Sequence, residues 1–207
     1  MSTHGRFITL EGGEGAGKST QARHIRDWLQ ARGRQVLLSR EPGGSPLAEA
    51  IRELVLRDWP EGVSAQTEVL LMFAARAAHV RHTIGPALVA GTDVVCDRFV
   101  DSSYAYQGAG KGISRDALTV LEQLAIDTLQ PQLTFVLDLP PEQGLQRAQA
   151  RGNANRFEAE TLEFMSRVRQ GFLQRAAAAP TRCVIIDASG DESHVWLQIR
   201  AALEARL

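Results

Sequence analysis

Apolar and polar residues alternate along the chain in two different ways. Short apolar runs are typical of buried strands, whereas longer stretches with apolar residues three and four apart are typical of amphipathic helices. The predicted strands cover residues 6–10, 35–39, 93–97, 133–138 and 183–187. The predicted helices cover residues 18–32, 46–56, 65–89, 115–129, 141–151, 160–176 and 191–206. Because strands and helices take turns, we expect an α/β fold of three layers, with a five-stranded parallel sheet flanked by helices.

Capping and turn residues support these boundaries. Gly33 and Gly91 follow predicted helices, where a glycine readily takes the left-handed conformation that ends a helix. Pro141 suits a first helical turn, and Ser64 is a suitable N-cap. Glycine-rich loops are expected at the ends of elements, at residues 43–44, 108–112 and 152. Ligands of open α/β sheets bind beyond the carboxyl ends of the strands, so we expect these loops near the site.

The strongest chemical signal is a G-x-x-x-x-G-K-S segment between the first strand and the first helix. It reads Gly12-Gly13-Glu14-Gly15-Ala16-Gly17-Lys18-Ser19 and is followed by Thr20. Glycines let backbone N–H groups turn toward a phosphate, and the helix N-terminus adds partial positive charge. Lys18 is placed to reach the β- and γ-phosphates, and the Ser19 hydroxyl to ligate Mg²⁺. The alternative is a glycine-rich turn that matches by chance, which the flanking strand and helix disfavour. The segment predicts a nucleoside triphosphate site.

A second phosphate-handling pair follows the third predicted strand. Asp97 and Arg98 end the apolar run Val94-Val95-Cys96. The Asp97 carboxylate is suited to the Mg²⁺ shell or to polarising the attacking group, and the Arg98 guanidinium to a bidentate phosphate contact. The alternative is a strand-end ion pair that binds no ligand. A phosphate loop on the same sheet favours the functional interpretation.

Composition and charge narrow the classes of partner. The 207 residues suffice for one domain, residues 1–207, with a substantial core. The formal net charge is −1, so no broad positive surface for a nucleic acid is expected. Substrate phosphates must therefore be bound by local arginines.

Neither a membrane nor an oxidising compartment is indicated. No apolar run approaches the roughly 18 residues of a membrane-spanning helix. The N-terminal residues lack an apolar signal region and lead straight into the first strand. Cys96 and Cys183 are the only cysteines and form no C-x-x-C pair. We expect a cytoplasmic protein in which both cysteines pack in the interior.

Four segments of the chain carry a specific signal when they are taken together. They are F-I-T-L-E-G with the phosphate loop, R-E-P-G-G-S-P-L-A-E at 40–49, D-R-F at 97–99 and S-S-Y-A-Y-Q-G at 102–108. In this order they resemble bacterial thymidylate kinases, and the resemblance covers nearly the whole chain. It implies a nucleoside monophosphate kinase fold, transfer of the ATP γ-phosphate to dTMP with Mg²⁺, and a homodimer formed by packed helices.

The resemblance also implies roles at the acceptor nucleotide. Glu14 matches a carboxylate that meets the deoxyribose 3′-hydroxyl, and Pro42 belongs to a loop that covers the nucleotide. Tyr106 matches a residue near the sugar 2′ carbon, where a ring would exclude a ribose hydroxyl. Arg52 matches an arginine near the nucleotide, although an exposed helix arginine in a surface ion pair is an equally simple interpretation.

Thymine recognition needs a flat apolar surface and a donor for O4. Arg76 fits the donor, and Ser103 and Gln107 match positions that hydrogen-bond the base in the family. The family usually spaces the aromatic residue and the arginine as F-x-x-x-R, but here Phe73 precedes Arg76 by three residues and Met72 occupies the expected position. Both share a helix face with Arg76. We expect Phe73 to stack on the base; the alternative is that Met72 packs there and Phe73 belongs to the core.

The last expected feature is a mobile lid at about residues 147–157. Some members of the family carry a catalytic arginine in the phosphate loop, where this chain has Gly15. The positive charge at the transferred phosphoryl group must then come from the lid. We expect Arg151 nearest that group, with Arg147 and Arg156 supporting closure and Arg147 also contacting ATP. The alternative is a solvated basic face paired with nearby glutamates.

Two other classes of protein also contain a phosphate loop. A P-loop kinase for another nucleotide is the nearest rival, and Arg76, Ser103 and Gln107 favour thymine over it. A GTPase switch is disfavoured because its D-x-x-G match at 187–190 comes near the C-terminus and no N-K-x-D follows. The five histidines are scattered, so Mg²⁺ is the only metal expected.

Overall fold

The sheet consists of parallel strands whose order places the phosphate loop at the centre. The computed structural model describes residues 4–150 and 160–207. Within them the strands are β1 Phe7–Gly12, β2 Val36–Arg40, β3 Asp93–Asp97, β4 Leu133–Asp138 and β5 Cys183–Asp187. Their order is β2-β3-β1-β4-β5, and every neighbouring pair is parallel. The predicted five-stranded parallel sheet is confirmed, with each strand displaced by no more than two residues.

Helices connect the strands and cover both faces of the sheet. In the described residues they are α1 Lys18–Gln30, α2 Pro46–Leu56, α3 Ala65–His79, α4 Gly85–Val89, α5 Val100–Ser103, α6 Arg115–Ile126, α7 Pro141–Gln149, α8 Leu162–Ala178 and α9 Glu192–Arg206. Two π-helical segments occur as well, Val80–Ile84 between α3 and α4 and Tyr104–Gly110 after α5. The predicted helix 65–89 is therefore one helical stretch with a π-helical insertion. None of the described helices is long and apolar enough to cross a membrane.

One predicted loop is wrong. Residues 108–112 were expected to be irregular, but most of this stretch belongs to the π-helical segment Tyr104–Gly110. The reason is a close approach to α8: a Cβ added to Gly171 would lie 2.8 Å from the Ala109 side chain and 2.9 Å from Ala105 Cα. Small residues on both sides let the backbones pack, and this tertiary contact overrides the weak helix propensity of glycine.

Two apolar clusters separate the layers. On one face Leu10 of β1 packs with Ile25 of α1 and Ile199 of α9. On the other face Phe7 packs with Phe99 and with residues of α3 and α6. Both clusters consist mainly of side chains with almost no solvent exposure, so the three-layer arrangement is what buries the sheet.

The register of the strands places Asp97 and Arg40 at the same edge of the sheet as the phosphate loop. Asp97, the last residue of β3, pairs with Leu10 of β1 and with Arg40 of β2. The carboxyl ends of these strands therefore meet directly beside the phosphate loop. Ligands of open α/β sheets bind at this edge.

Candidate active site

A cavity of about 230 Å³ opens at the carboxyl edge of the sheet. Most of the predicted site residues line it, namely Glu14, Gly15, Ala16, Gly17, Lys18, Ser19, Thr20, Pro42, Arg52, Asp97, Arg98, Tyr106 and Gln107. Residues for which the sequence predicted no role line it too, namely Arg40, Glu41, Leu56 and Ser102, and so does Met72. Arg40 ends β2 beside Asp97, so its position at a strand end was the signal that could have identified it.

The phosphate loop has the backbone that a phosphate cradle requires. Gly12, Gly15 and Gly17 have φ angles of 138°, 73° and 86°, which L side chains rarely adopt. Gly17 is the N-cap of α1, so the unpaired N–H groups of the first helical turn point toward the cavity. The Lys18 Nζ donates to the carbonyl oxygens of Gly12 at 3.1 Å and Gly13 at 2.7 Å.

Lys18 is held in an environment that disfavours its charge. Burial, and next the nearby Arg98 guanidinium, lower the pKa of Lys18 to about 8. A bound polyphosphate would supply the missing negative charge and raise that pKa again. The charged form of Lys18 is therefore stabilised better when an anionic ligand is bound than in the ligand-free protein.

Gly15 also explains the absence of an arginine from the loop. A Cβ on Gly15 would lie 2.1 Å from the carbonyl oxygen of Gly144, and one on Gly144 would lie 2.5 Å from that of Glu14. The loop and α7 therefore touch backbone to backbone. No side chain fits at position 15 without displacing α7.

Ser19 and Asp97 bring two hard oxygen ligands together. The Ser19 hydroxyl donates to Asp97 Oδ2 at 2.5 Å. Mg²⁺ commonly uses one or two protein oxygens and completes its shell with water and phosphate oxygens. The pair therefore fits a Mg²⁺ site. In the described ranges no cluster of three or more histidine, cysteine or acidic side chains is placed to hold a metal.

Arg98 lies at the centre of a partly buried group of hydrogen-bonded side chains. Its Nη1 donates to the Gly12 carbonyl at 2.9 Å, and its Nη2 donates to Glu14 at 2.7 Å and to the Tyr106 hydroxyl at 3.1 Å. The Tyr106 hydroxyl in turn donates to Glu14 at 3.0 Å. Burial lowers the pKa of Arg98, but Tyr106, Glu14 and Asp97 outweigh this effect and keep that pKa above its ordinary value. Arg98 is therefore a permanent cation on the cavity wall.

The backbone of Arg98 is held by a residue that the sequence analysis missed. Arg98 has a φ of 71°, unusual for a residue with a side chain. Glu11, fully buried at the end of β1, accepts from the Phe99 N–H at 2.8 Å and from the Ser102 hydroxyl at 2.6 Å. Burial, and then the Asp101 carboxylate, raise the pKa of Glu11. The only signal for Glu11 in the sequence was a glutamate that directly follows the apolar run of the first predicted strand.

Arg52 belongs to the cavity rather than to the surface. Its Nη1 donates to the Pro42 carbonyl at 2.8 Å, which links α2 to the loop after β2. Burial, and next the nearby Arg40, lower the pKa of Arg52. Two arginines therefore share this part of the wall, an arrangement that favours an anionic ligand between them.

The structure corrects the prediction for Phe73. Met72 lines the cavity, whereas Phe73 is 3% exposed and packs in the apolar cluster with Phe7 and Phe99. Successive helix residues point about 100° apart, so only one of the two can face the cavity. The alternative from the sequence, with Met72 beside the base and Phe73 in the core, is the one that the geometry favours.

Arg76 and Ser103 lie behind the cavity wall. Arg76 is 1% exposed; it donates to Glu41 at 2.7 Å, to Ser103 at 3.0 Å and to the Phe99 carbonyl at 3.0 Å. Gln107, by contrast, is part of the wall. Within the described residues its Oε1 has no hydrogen-bond partner.

Arg147 lies at a different place from the phosphate loop. Its guanidinium donates to the carbonyl oxygens of Ala188 at 2.9 Å, Ser189 at 2.9 Å and Gly190 at 3.2 Å, in the loop between β5 and α9. It does not line the cavity. Arg151 and Arg156 lie outside the described residues.

A triphosphate cradle and a second arginine-lined pocket share one cavity, so the fold and the site define a P-loop phosphotransferase that acts on two bound substrates. Comparison with known proteins identifies the family. A family model described as Thymidylate kinase matches residues 10–199. The chain belongs to the thymidylate kinase family.

Individual relatives agree with the family model. The thymidylate kinase of Pseudomonas savastanoi is 55% identical over 185 residues, which cover 89% of this chain and 88% of that protein. The thymidylate kinase of Chromohalobacter salexigens is 51% identical over 207 residues, 99% of this chain and 98% of that one. A solved structure of thymidylate kinase from Ehrlichia chaffeensis superposes with a TM-score of 0.78 at 33% identity, covering 97% and 99% of the two chains.

Proposed function

We propose that this cavity transfers the γ-phosphate of ATP to dTMP, giving dTDP and ADP. One observation carries the proposal. Four basic side chains of the described residues, Lys18, Arg40, Arg52 and Arg98, converge on a single cavity although the net charge of the whole chain is −1. They come from the phosphate loop and from three other places in the fold. Such convergence suits two phosphate-bearing ligands placed end to end.

The phosphate loop and Lys18 hold the donor. The backbone N–H groups at the start of α1 and the Lys18 ammonium bind the β- and γ-phosphates. Ser19 and Asp97 would hold Mg²⁺, which when bound offsets the negative charge of the phosphate oxygens. The attacking oxygen of dTMP forms a bond to the γ-phosphorus while the bond to the β–γ bridging oxygen breaks and that oxygen leaves with ADP.

Arg98, Arg52 and Arg40 position the acceptor phosphate. Arg98 is always charged and its side chain is 15% exposed, so it brings a fixed positive group to the reacting end of dTMP. Glu14 and Tyr106, already joined to Arg98 by hydrogen bonds, lie beside the deoxyribose. Burial raises the pKa of Tyr106 despite the opposing effect of Arg98, so its hydroxyl remains protonated and able to donate. A ring at the sugar 2′ carbon would disfavour a ribonucleotide.

The contact between Gly15 and Gly144 supports a lid arginine as the further source of positive charge. The phosphate loop has no room for a side chain at position 15. We therefore propose that Arg151 stabilises the charge that develops on the transferred phosphoryl group, with Arg156 closing the lid. Arg147 anchors the loop at 188–190 through three hydrogen bonds, and we propose that it serves the ATP side of the site.

We assign recognition of the thymine base to Met72, Gln107 and Arg76. Met72 supplies an apolar surface on the cavity wall. A guanidinium has five N–H groups, and Arg76 uses three in the hydrogen bonds described above, so donors remain for thymine O4. Ser103 orients Arg76 rather than contacting the base directly.

The association state and the compartment are proposed on separate observations. Leu47 of α2, Leu70 of α3 and Leu124 of α6 are 61%, 57% and 82% exposed, and α3 packs against both α2 and α6. Exposed apolar residues on adjacent helices favour a homodimer through this face. Cys96 and Cys183 are buried and free, which agrees with a reducing cytoplasm. Light scattering of the purified protein tests the dimer.

The decisive experiment is a substrate panel. ADP release is measured with ATP, Mg²⁺ and each of dTMP, dUMP, dCMP, dGMP and ribothymidine monophosphate. We expect strong turnover with dTMP, less with dUMP and little with the ribonucleotide. Turnover with another base alone would leave the phosphate machinery in place and overturn the assignment of the base side.

A further inference from the structure

The side-chain amide of Gln107 contacts Glu68, which lies behind the cavity wall. Gln107 is 1% exposed and lines the cavity, yet its Oε1 has no hydrogen-bond partner within the described residues. An unsatisfied buried acceptor costs stability. A protein that keeps such a group beside a cavity is suited to a ligand that brings a donor.

The orientation of this amide is set by Glu68. Gln107 Nε2 donates to Glu68 Oε1 at 2.9 Å, and Glu68 on α3 has no solvent exposure. An ionised carboxylate only accepts hydrogen bonds, so the NH₂ group of the amide must face Glu68 and the oxygen must face away. Lys111 Nζ donates to the other carboxylate oxygen at 2.9 Å and neutralises its charge.

We propose that Glu68 is a positioning residue that makes Gln107 present an acceptor and thereby selects thymine over cytosine. This inference rests on the proposed function. Thymine carries N–H at N3 and pairs with an acceptor, whereas cytosine carries a bare nitrogen at N3, which would face the Gln107 oxygen with no proton between them. Sites with a fixed polar group reject the mismatched partner strongly, because buried groups are then left unpaired.

The test compares dTMP with dCMP in matched variants. In Glu68→Gln, an amide replaces the carboxylate and can donate as well as accept, so Gln107 is free to rotate. We expect the ratio of kcat/KM for dTMP over dCMP to fall roughly tenfold or more. Binding of both nucleotides by calorimetry should show the same change in ratio. The control Glu122→Gln removes a carboxylate that accepts from Tyr104 of the same π-helical segment at 2.6 Å, and should leave the ratio unchanged.

A rescue variant separates orientation from general damage. In the double variant Glu68→Gln with Gln107→Glu, the amide at 68 donates to the carboxylate at 107, whose second oxygen again offers an acceptor. The preference for dTMP over dCMP should recover. Equal losses for both nucleotides in Glu68→Gln, or no recovery in the double variant, would overturn the inference.

A measurement on the unmodified protein covers the case in which the variants fail to fold. The side-chain amide protons of Gln107 should exchange slowly with solvent before any nucleotide is added, because a buried carboxylate holds them. Rapid exchange would overturn the inference. If the unmodified protein does not phosphorylate dTMP at all, the proposed function itself fails; if it does and the ratio is insensitive to Glu68, only the role of Glu68 fails.

Discussion

The phosphate side and the base side of the cavity are built in different ways. Residues 14–20 line the side proposed for the ATP phosphates as one continuous stretch, and Lys18 within it donates to carbonyl oxygens of its own loop. The base side takes Pro42, Met72 and Gln107 from three separate parts of the fold. Behind it stands Glu68, which accepts a hydrogen bond from Gln107. We infer that a single change suffices to disable the phosphate side, whereas the base side responds to changes one layer away from the ligand.

Lys18→Ala should have the largest effect and test the first half of this comparison. Loss of one charged group directed at the transferred phosphate typically costs about 10²–10³-fold in kcat. We expect such a loss in steady-state kinetics with a normal melting temperature, because within the described residues the amine donates only to carbonyl oxygens of its own loop. Arg23→Ala on the exposed side of the same helix is the control and should retain activity. A Lys18→Ala protein with near-normal turnover would contradict the donor assignment.

Phe73→Ala and Met72→Ala should separate the core from the base side. Phe73 lies in the core cluster, so its truncation should lower the free energy of unfolding by about 3–5 kcal/mol. Met72 faces the cavity, so its truncation should cost less stability and raise the KM for dTMP. Urea unfolding and dTMP kinetics measure the two effects. The reverse pattern would restore Phe73 as the base-stacking residue.

Gly15→Ala should destabilise the protein through a backbone contact. The added Cβ would meet the Gly144 carbonyl at 2.1 Å and would also be strained at a φ of 73°. Gly33→Ala is a matched control, since its φ is 76° and nothing lies within 4 Å of the added atom. Left-handed strain alone costs about 1–2 kcal/mol. Thermal or urea unfolding should show a larger loss for Gly15→Ala; equal losses would mean that α7 simply moves aside.

Arg151→Ala tests whether the lid supplies the positive charge that an arginine of the phosphate loop would supply if it stood in place of Gly15. We expect kcat to fall about 10²-fold while the dissociation constant for dTMP stays almost the same, because the arginine acts on the transferred phosphoryl group. Single-turnover kinetics and calorimetry give the two quantities. Arg200→Ala, an exposed arginine paired with Glu204 on α9, should change neither. Equal loss of turnover and dTMP affinity would refute the role of Arg151.

The pH dependence of ATP use should give the smallest effect and report on Lys18. Its pKa lies near 8 in the ligand-free protein instead of the usual 10.5, so the amine loses its proton above about pH 8. We expect kcat/KM for ATP to fall above that pH, by about tenfold per pH unit at most, while kcat persists because bound phosphates raise the pKa again. Lys18→Arg should abolish the decline, provided that it is active.

The same shift has the opposite consequence for stability. Between about pH 8 and 10.5 the unfolded chain binds more protons at Lys18 than the folded protein does. The contribution of Lys18 to the free energy of unfolding therefore rises with pH across this window. Denaturant unfolding at several pH values, compared with Lys18→Met, checks the sign.

The sequence predicted the elements well because periodicity reports on burial. The strands and the longer helices lie where apolar spacing placed them, and Ser64 does cap α3 by accepting from the Thr67 N–H at 3.1 Å. The sequence predicted a loop for the end of the Tyr104–Gly110 segment. The prediction was wrong because the helical form of this segment depends on packing against α8. No local pattern carries that information.

Residue types and spacing by themselves determined the phosphate loop, the parallel sheet and the family, because these depend on local backbone chemistry and on one apolar pattern per element. Only the tertiary structure decided which of Met72 and Phe73 faces the cavity, that Arg76 stands behind its wall, and that Glu68 orients Gln107. Helix rotation and side-chain partners from distant segments make those choices. They arise only when the elements pack, since the rotation of the packed helix decides which of two successive residues, about 100° apart, faces the cavity.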